Sequence, residues 1–446
     1  YIYRYSNRGS NLKKFNLTTF IFIALIAGIL VGWLFPAFAI KTAPLAKIFL
    51  NMIKMIIAPL LFSTLVVGIA GHGDVKSLGK IGLKTLIYFE IVTTFALIIG
   101  LAMGNIVKPG VGMENVVAAS AHDMQAAQHM ATINPNNSLS GMIIGMFPTS
   151  VVKAMADGNL LQIVIFSLFF AVAICAVGKS AKPVLDVLNA TAKVMFKFTE
   201  YVMYFAPFGI FGAVASAIGI NGISVLKSYG KVIFCLYTAL AIFVFFVLHF
   251  VCHLVKVPFF KLMSAIKDQI LLAFTTTSSE AALPKSMEIL EKFGVPRNIV
   301  SFVMPTGYTF NLDGSTLGVS VAVLFSTQLV GINLNLEQQL AMMLALMFAS
   351  KGIAGVPRVS LIVLAGTLTT FNYPIIGVAI LLGIDHILDM GRTTINLIGN
   401  CVATVVIARW EGQFDDEKMH KYIAKEKRRK ELLAYFGAKK TSSKVA

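Results

Sequence analysis

A chain of 446 residues that is 57% hydrophobic and only 13% charged, with a mean hydropathy of +0.79, cannot fold in water without exposing a large apolar surface, which excludes a soluble domain. Its formal net charge of +17 would suggest nucleic acid in a soluble protein. Here the basic residues fall in alternate loops between apolar runs, so they report membrane orientation and not a nucleic-acid partner. No nucleotide-binding loop is present, which argues against an ATP-driven motor.

Apolar runs of about 20 residues or more, the length a bilayer core requires, recur at 17–36, 44–70, 81–107, 159–178, 194–219 and 229–255 and predict helices one to six. Helix one follows basic residues, and Ala37-Phe38-Ala39 imitates a cleavage site. Its apolar run is too long for a signal core and further spans follow at once, so it reads as retained. Tyr1 is not an initiator residue, which leaves the true N-terminus open.

Lys13 and Lys14, then Lys76, Lys80 and Lys84, then Lys179 and Lys182, then Lys256, Lys261 and Lys267 mark the loops that stay inside, whereas 109–152 contains no Lys or Arg and falls outside. The tail "DDEKMHKYIAKEKRRKELLAYFGAKK" is then cytoplasmic and reads as a solvated helix or an anionic-lipid contact. Cys175, Cys235, Cys252 and Cys401 lack paired or metal-ligand spacing and read as buried free thiols. His249 and His253 lie one turn apart near the inner end of helix six, where packing accounts for them better than a metal does.

From about Phe260 the pattern changes. "LMSAIKDQILLAFTTTSSEAALPKSMEILEKF" offers two arms too short to span, joined by a Ser/Thr-rich centre and basic at both ends. A hairpin entering from the cytoplasm and returning satisfies both length and charge, with its irregular tip sheltered by protein. A helix over about 299–329 follows, interrupted by "GYTFNLDGST". A second pair of short arms, "LEQQLAMMLALMFASKGIAGVPRVSLIVLAGTLTTF", comes next, and then a helix over about 374–407. Hairpin, broken helix, hairpin and polar helix form the layout of an inverted repeat whose breaks meet near the midplane at a substrate site.

That last helix carries "DHILDMGRTTINLIGN". At about 100° per residue, Asp385, Asp389, Arg392, Thr393, Asn396 and Asn400 share one face, and Ile387, Leu388, Ile395 and Ile398 lie behind. Thr275, Thr276 or Gly352 taken singly could line a close helix contact. Asp313, Asp389 and Arg392 at mid-depth each cost at least a few kcal/mol unless paired. A structural Asp389–Arg392 bridge would leave Asp313, Asn311, Asn396 and Asn400 unexplained. Asp385 reads as structural, orienting the Arg392 guanidinium.

With "SSEAALP", "PTGYTFNLDGST", "SKGIAGVP" and "DMGRTTINLIGN", the chain resembles the dicarboxylate/amino acid:cation symporter family, and within it the bacterial proton/sodium–glutamate symporters. The resemblance implies an all-α polytopic fold of eight transmembrane helices and two re-entrant hairpins with inverted repeats, working as an elevator in a homotrimer. It implies a cytoplasmic segment 1–16, scaffold helices at 17–70 and 141–226, helix three of the transport domain at 71–107 and an extracellular loop at 108–140. The rest of the transport domain would be 227–408, with hairpins at about 260–292 and 337–372, followed by a basic cytoplasmic tail at 409–446. The setting it implies is the cell membrane, by resemblance the bacterial inner membrane, with both termini cytoplasmic and the second hairpin as outer gate.

Carried over residue by residue, Arg392 would clamp the substrate's side-chain carboxylate with its planar fork, and Asp389 would accept its α-ammonium. Thr393 and Asn396 would add hydrogen bonds. Ser279 and backbone around Ser278 and Gly355 would hold the α-carboxylate. Asp313, Asn311 and backbone near Thr309 and Ser350 would ligate cations. Asn400 stands where strictly sodium-coupled archaeal relatives carry a sodium-binding aspartate, and Phe89 and Val92 replace a tyrosine and a threonine of another sodium site. A hard cation prefers charged or strongly polar oxygens, so these departures weaken the case for a full sodium set and leave Glu90 and Glu280 as proton-carrier candidates. Arg358 occupies a place where glycine is more usual and leaves selectivity open.

The expected activity is symport of L-glutamate and L-aspartate driven by protons, with sodium left open as a second coupling ion and no cofactor. An anion entering a negative interior loses about 2.3 kcal/mol per charge per 100 mV, so two cations must accompany each glutamate before the potential assists. A C4-dicarboxylate carrier is the close rival, needing Arg392 but having no use for Asp389. An aspartyl protease using Asp313 and Asp389 would need a dyad that shares a proton, which Arg392 opposes. A passive channel is the remaining alternative.

Overall fold

The computed structural model of the chain describes residues 17–70, 79–112, 144, 147–350, 359–426 and 428. All regular structure among them is helical. In chain order the described α-helices begin with α1 (Leu17–Leu34), α2 (Pro36–Ile40), α3 (Ala43–Ala70), α4 (Gly79–Val107), α5 (Val151–Ala156), α6 (Leu160–Val177), α7 (Lys182–Met203) and α8 (Ala206–Asn221). Then come α9 (Val225–Ile242), α10 (His249–Leu254), α11 (Phe259–Ala265), α12 (Lys267–Thr276), α13 (Ser279–Lys292), α14 (Arg297–Phe310) and α15 (Asp313–Leu329). The last four are α16 (Leu336–Ala349), α17 (Val359–Thr370), α18 (Ile376–Leu382) and α19 (Asp385–Trp410).

Five stretches of helix among the described residues are long and apolar enough to cross a membrane: Pro36–Ala70, Ile81–Val107, Gln162–Met203, Val225–Leu254 and Asp385–Trp410. Between α9 and α10 a π-helical turn over Phe243–Leu248 keeps the helix continuous. The expected single helix at 194–219 is instead two helices, because the chain turns at Tyr204 and Phe205 and Pro207, in the first turn of α8, has no N–H to extend the earlier ladder. The missed length is α7, whose charged residues lower its apolar signal although it continues back to Lys182.

Each expected hairpin presents two helical arms, α12 and α13 in the first and α16 and α17 in the second. In the first, Thr277 takes a left-handed φ of 51° and the Ser278 side chain caps α13 by accepting from the Ala281 N–H. In the second, α16 begins with an Asn335/Gln338 capping box, and the tip, 351–358, lies outside the described residues together with Gly355 and Arg358. The broken helix parts at Asn311 and Leu312. The final helix, expected unbroken from 374, also breaks, at Gly383 and Ile384.

The packing falls into two groups. Helices α1, α3, α6, α7 and α8 pack on one another, whereas α4, α9, α12, α13, α14 and α17 gather around α15 and α19. Helix α19 is buried on nearly every side, Leu388, Ile395 and Ile398 included. Its apolar back therefore meets protein and not lipid. Cys235, Cys252 and Cys401 are buried as expected, but Cys175 is exposed on the outside of α6. His249 stacks on Phe259 at 5.2 Å and meets Phe260 edge-on, an aromatic packing role.

Candidate functional site

The polar face of α19 lies at the centre of the second group. Arg392, 2% exposed, donates from Nη2 to Asp385 Oδ1 at 2.6 Å and to Asp389 Oδ1 at 3.2 Å. The two carboxylates are not equivalent: the Asp385 side chain is 0% exposed and the Asp389 side chain 10%. Asp385 is the tighter partner and holds the guanidinium in place, and Asp389 lies nearer to open space.

One turn on, Asn396 reads α15 with both ends of its amide. Its Oδ1 accepts from the Ser315 N–H at 3.1 Å and its Nδ2 donates to Ser315 Oγ at 2.9 Å. This pins the first turn of α15, whose orphan N–H groups follow directly from the break at Asn311 and Leu312. Close approach is built in with glycine: a Cβ on Gly318 would stand 2.4 Å from Arg392 Cδ, and one on Gly399 would stand 2.6 Å from Asp313 Oδ2. Thr393 is buried on the same helix at 6% exposure.

A second polar cluster lies deeper. Asn311 Nδ2 donates to Asn400 Oδ1 at 3.0 Å, and Thr93 Oγ1 on α4 donates to Asp313 Oδ1 at 3.2 Å. Asn311, Asp313, Asn400 and Thr93 are all fully buried. Asn311 Oδ1 and Asn400 Nδ2 have no hydrogen-bond partner among the described residues, so the cluster retains one oxygen acceptor and one amide donor for something else. Phe89 and Val92 are also buried on α4 and bring no oxygen.

The remaining expected residues scatter. Ser350 donates its hydroxyl to the Met347 carbonyl at 3.2 Å and joins Ser315, Thr316 and Ser360 around a small cleft between α15, α16 and α17. The hydroxyls of Thr316 and Ser360 are buried there with no partner among the described residues. The Thr309 methyl lies against Gly68 of α3. Glu90 is half-buried on α4, and the side chain of Glu280 lies outside the described residues. Asp313 lies beside Gly399, about 15 Å along α19 from Asp389 at 1.5 Å per residue, too far for a proton-sharing dyad.

Ser278 and Ser279 are positioned by a residue that sequence reasoning passed over: Tyr308 Oη donates to the Ser279 carbonyl at 2.8 Å, tying the hairpin tip to α14. Tyr308→Phe keeps the ring and removes the donor. A bond worth about 1 kcal/mol is lost, and amide hydrogen exchange over 275–280 is expected to quicken roughly fivefold. Unchanged exchange there would show that the tip is held by other contacts. Ser315 and Thr93 were also passed over, although both are hydroxyls in or beside stretches singled out for other residues.

The arrangement can hold a small ion bearing carboxylate and ammonium groups beside a buried oxygen cluster suited to a monovalent cation. Residues 17–410 match the family described as "Sodium:dicarboxylate symporter family". A proton/sodium-glutamate symport protein of Geobacillus stearothermophilus is 43% identical over 93% of this chain and 99% of its own length. The proton/glutamate-aspartate symporter of Escherichia coli (strain K12) is 40% identical over 92% and 96%. A C4-dicarboxylate transport protein of Bacillus subtilis (strain 168) is 39% identical over 90% and 95%.

Proposed function

Because the chain belongs to the sodium:dicarboxylate symporter family, we propose that it is a secondary active symporter importing L-glutamate and L-aspartate with protons. The observation that carries this reading is the pairing, on one buried face of α19, of a cationic fork at Arg392 with the more accessible carboxylate of Asp389, 3.2 Å away. One end of an acidic amino acid needs the first and its ammonium needs the second. Thr393, Asn396, Ser278, Ser279 and Gly355 complete the substrate set. A C4-dicarboxylate cargo is the second reading, favoured by relatives of that name.

Asn311, Asp313 and Asn400, with carbonyls near Thr309 and Ser350, form the cation site, and Thr93 adds a hydroxyl. A neutral amide at Asn400 whose oxygen already accepts from Asn311 suits a weakly held sodium ion or none. Glu280 and Glu90 are the proton carriers in this reading.

The working unit is a homotrimer in the cell membrane with eight spans and two re-entrant hairpins. Helices at 17–70 and 141–226 are the scaffold, and 71–107 with 227–408 is the unit that slides. The two packing groups support this division. The contact between them is apolar and close: Gly383 against Val214, and Phe22 edge-on to His386 with ring centroids 5.3 Å apart. The second hairpin packs on α3 and α6, whereas Thr275 and Thr276 at the first hairpin's tip are exposed, which supports an inward-facing arrangement.

The deciding experiment is uptake by purified protein in proteoliposomes, with proton and sodium gradients imposed separately at fixed membrane potential and glutamate, aspartate, succinate and serine as competitors. Glutamate uptake is expected with a proton gradient and no sodium, and to fail in Glu280→Gln or Glu90→Gln, because a neutral amide cannot load a proton. No wild-type uptake without sodium rejects proton coupling alone. Full proton-driven uptake in both variants moves the carrier to Asp313.

A further inference from the structure

Beyond Trp410 the chain stays on the helical body. Lys84, in the first turns of α4, donates to the Trp410 carbonyl and pairs with Glu411, and Tyr88 meets the Trp410 ring edge-on at 6.0 Å. Asn298, at the start of α14, donates to Gln413 Oε1 at 3.2 Å. The Asp415 N–H donates to the Gly294 carbonyl at 2.9 Å. Gly294 has a φ of 112°, and a Cβ there would stand 2.4 Å from the Asp415 carbonyl oxygen, so the crossing is built around glycine. Arg409 bridges to Asp416, covers the Phe414 ring at 4.2 Å and reaches the Lys256 carbonyl beyond α10.

Residues 416–426 then form a helix. Met419 is 3% exposed, and Tyr422 packs its ring on Phe293 at 5.8 Å. The segment thus fastens together the ends of α4, α10, α13, α14 and α19. At about 100° per residue, Lys418, Lys421 and Lys425 form a stripe beside the packed face, and all three are exposed. Lys421 pairs with Glu417, but Lys418 and Lys425 enter no ion pair among the described residues. The sequence continues with Lys427, Arg428, Arg429 and Lys430.

We propose that the segment 411–426 is a clasp on the inner ends of the moving unit whose lysine stripe docks on anionic phospholipid headgroups. Its location names the partner: α19 is long enough to cross the bilayer and ends at Trp410, so the clasp begins at the membrane boundary. An amphipathic helix there, with its apolar side already covered by protein, turns its ammonium groups to the headgroup layer. Lipid composition thereby acts on the part of the molecule that carries the cargo. The proposal rests on the bilayer and moving-unit readings above but not on which acid is carried.

The test uses the full chain reconstituted in phosphatidylcholine vesicles with 10 to 40 mol% phosphatidylglycerol, measuring the retention of spin-labelled phosphatidylglycerol relative to spin-labelled phosphatidylcholine. The wild type is expected to prefer the anionic lipid, and the preference should fall as salt rises through the range where the screening length drops below about 10 Å. The variant Lys418→Gln/Lys421→Gln/Lys425→Gln is expected to lose at least about half of that preference, and the corresponding triple arginine variant to keep it. An unchanged preference in the glutamine variant overturns the proposal, as does an equal loss in the arginine variant. Uptake of labelled glutamate in the same vesicles is a separate readout. If glutamate is not the cargo, uptake is absent while the lipid preference stands.

Discussion

Arg392→Ala is expected to abolish uptake of glutamate and aspartate, because the substrate's side-chain carboxylate loses its cationic partner. Binding should weaken by at least about a hundredfold, the scale of a charge-assisted bidentate contact in a buried site. The substitution also removes a charged partner from two buried residues, Asp385 at 0% and Asp389 at 7% exposure, and removing one member of such a pair costs about 3–5 kcal/mol. Loss of transport through loss of fold has to be separated from loss of the clamp. The double variant Asp385→Asn/Arg392→Ala neutralises the carboxylate nearest the missing guanidinium and is expected to recover thermal stability without recovering transport. Glutamate affinity within threefold of wild type in either folded variant would sink the assignment of Arg392.

Much of this site was legible in the sequence because the bilayer makes polar residues conspicuous. Charged groups at mid-depth cannot be incidental, so Asp313, Asp389 and Arg392 stood out, and the polar stretches at 311–315 and 277–279 pointed to where the backbone departs from helix. Other features lacked such a signal. Hydroxyls such as Thr93 and Ser315 are cheap in a helix, since most return their proton to a carbonyl one turn back, as Thr94 does to Glu90 and Thr404 to Asn400. Only three-dimensional proximity distinguishes Thr93, which donates to Asp313 instead. The two-faced pattern of α19 left open what covers its apolar side. Neighbouring helices cover it, a fact that periodicity cannot encode. The split at Tyr204 and Phe205 escaped a hydropathy window for a related reason, since both residues are apolar and both flanking segments are helical.

Asp389→Asn separates the two cargo readings. Asp385 alone can hold Arg392, at 2.6 Å, so loss of the charge at Asp389 leaves the clamp oriented, and the asparagine side chain keeps the volume. The substrate's ammonium loses a charged acceptor in a site that excludes water, where hydrogen bonds to charged groups contribute about 1.5–3 kcal/mol, or roughly 10- to 150-fold in affinity. Succinate has no ammonium and never used that acceptor. Glutamate affinity is therefore expected to fall by more than about tenfold, with succinate inhibition unchanged or stronger, because a buried negative charge near a dianion has been removed. The measurement is competition by each ligand against labelled aspartate, with labelled succinate as a second tracer in case aspartate no longer binds. Equal losses for glutamate and succinate would show that Asp389 supports Arg392 without meeting the ammonium. The C4-dicarboxylate reading would then lose its main objection.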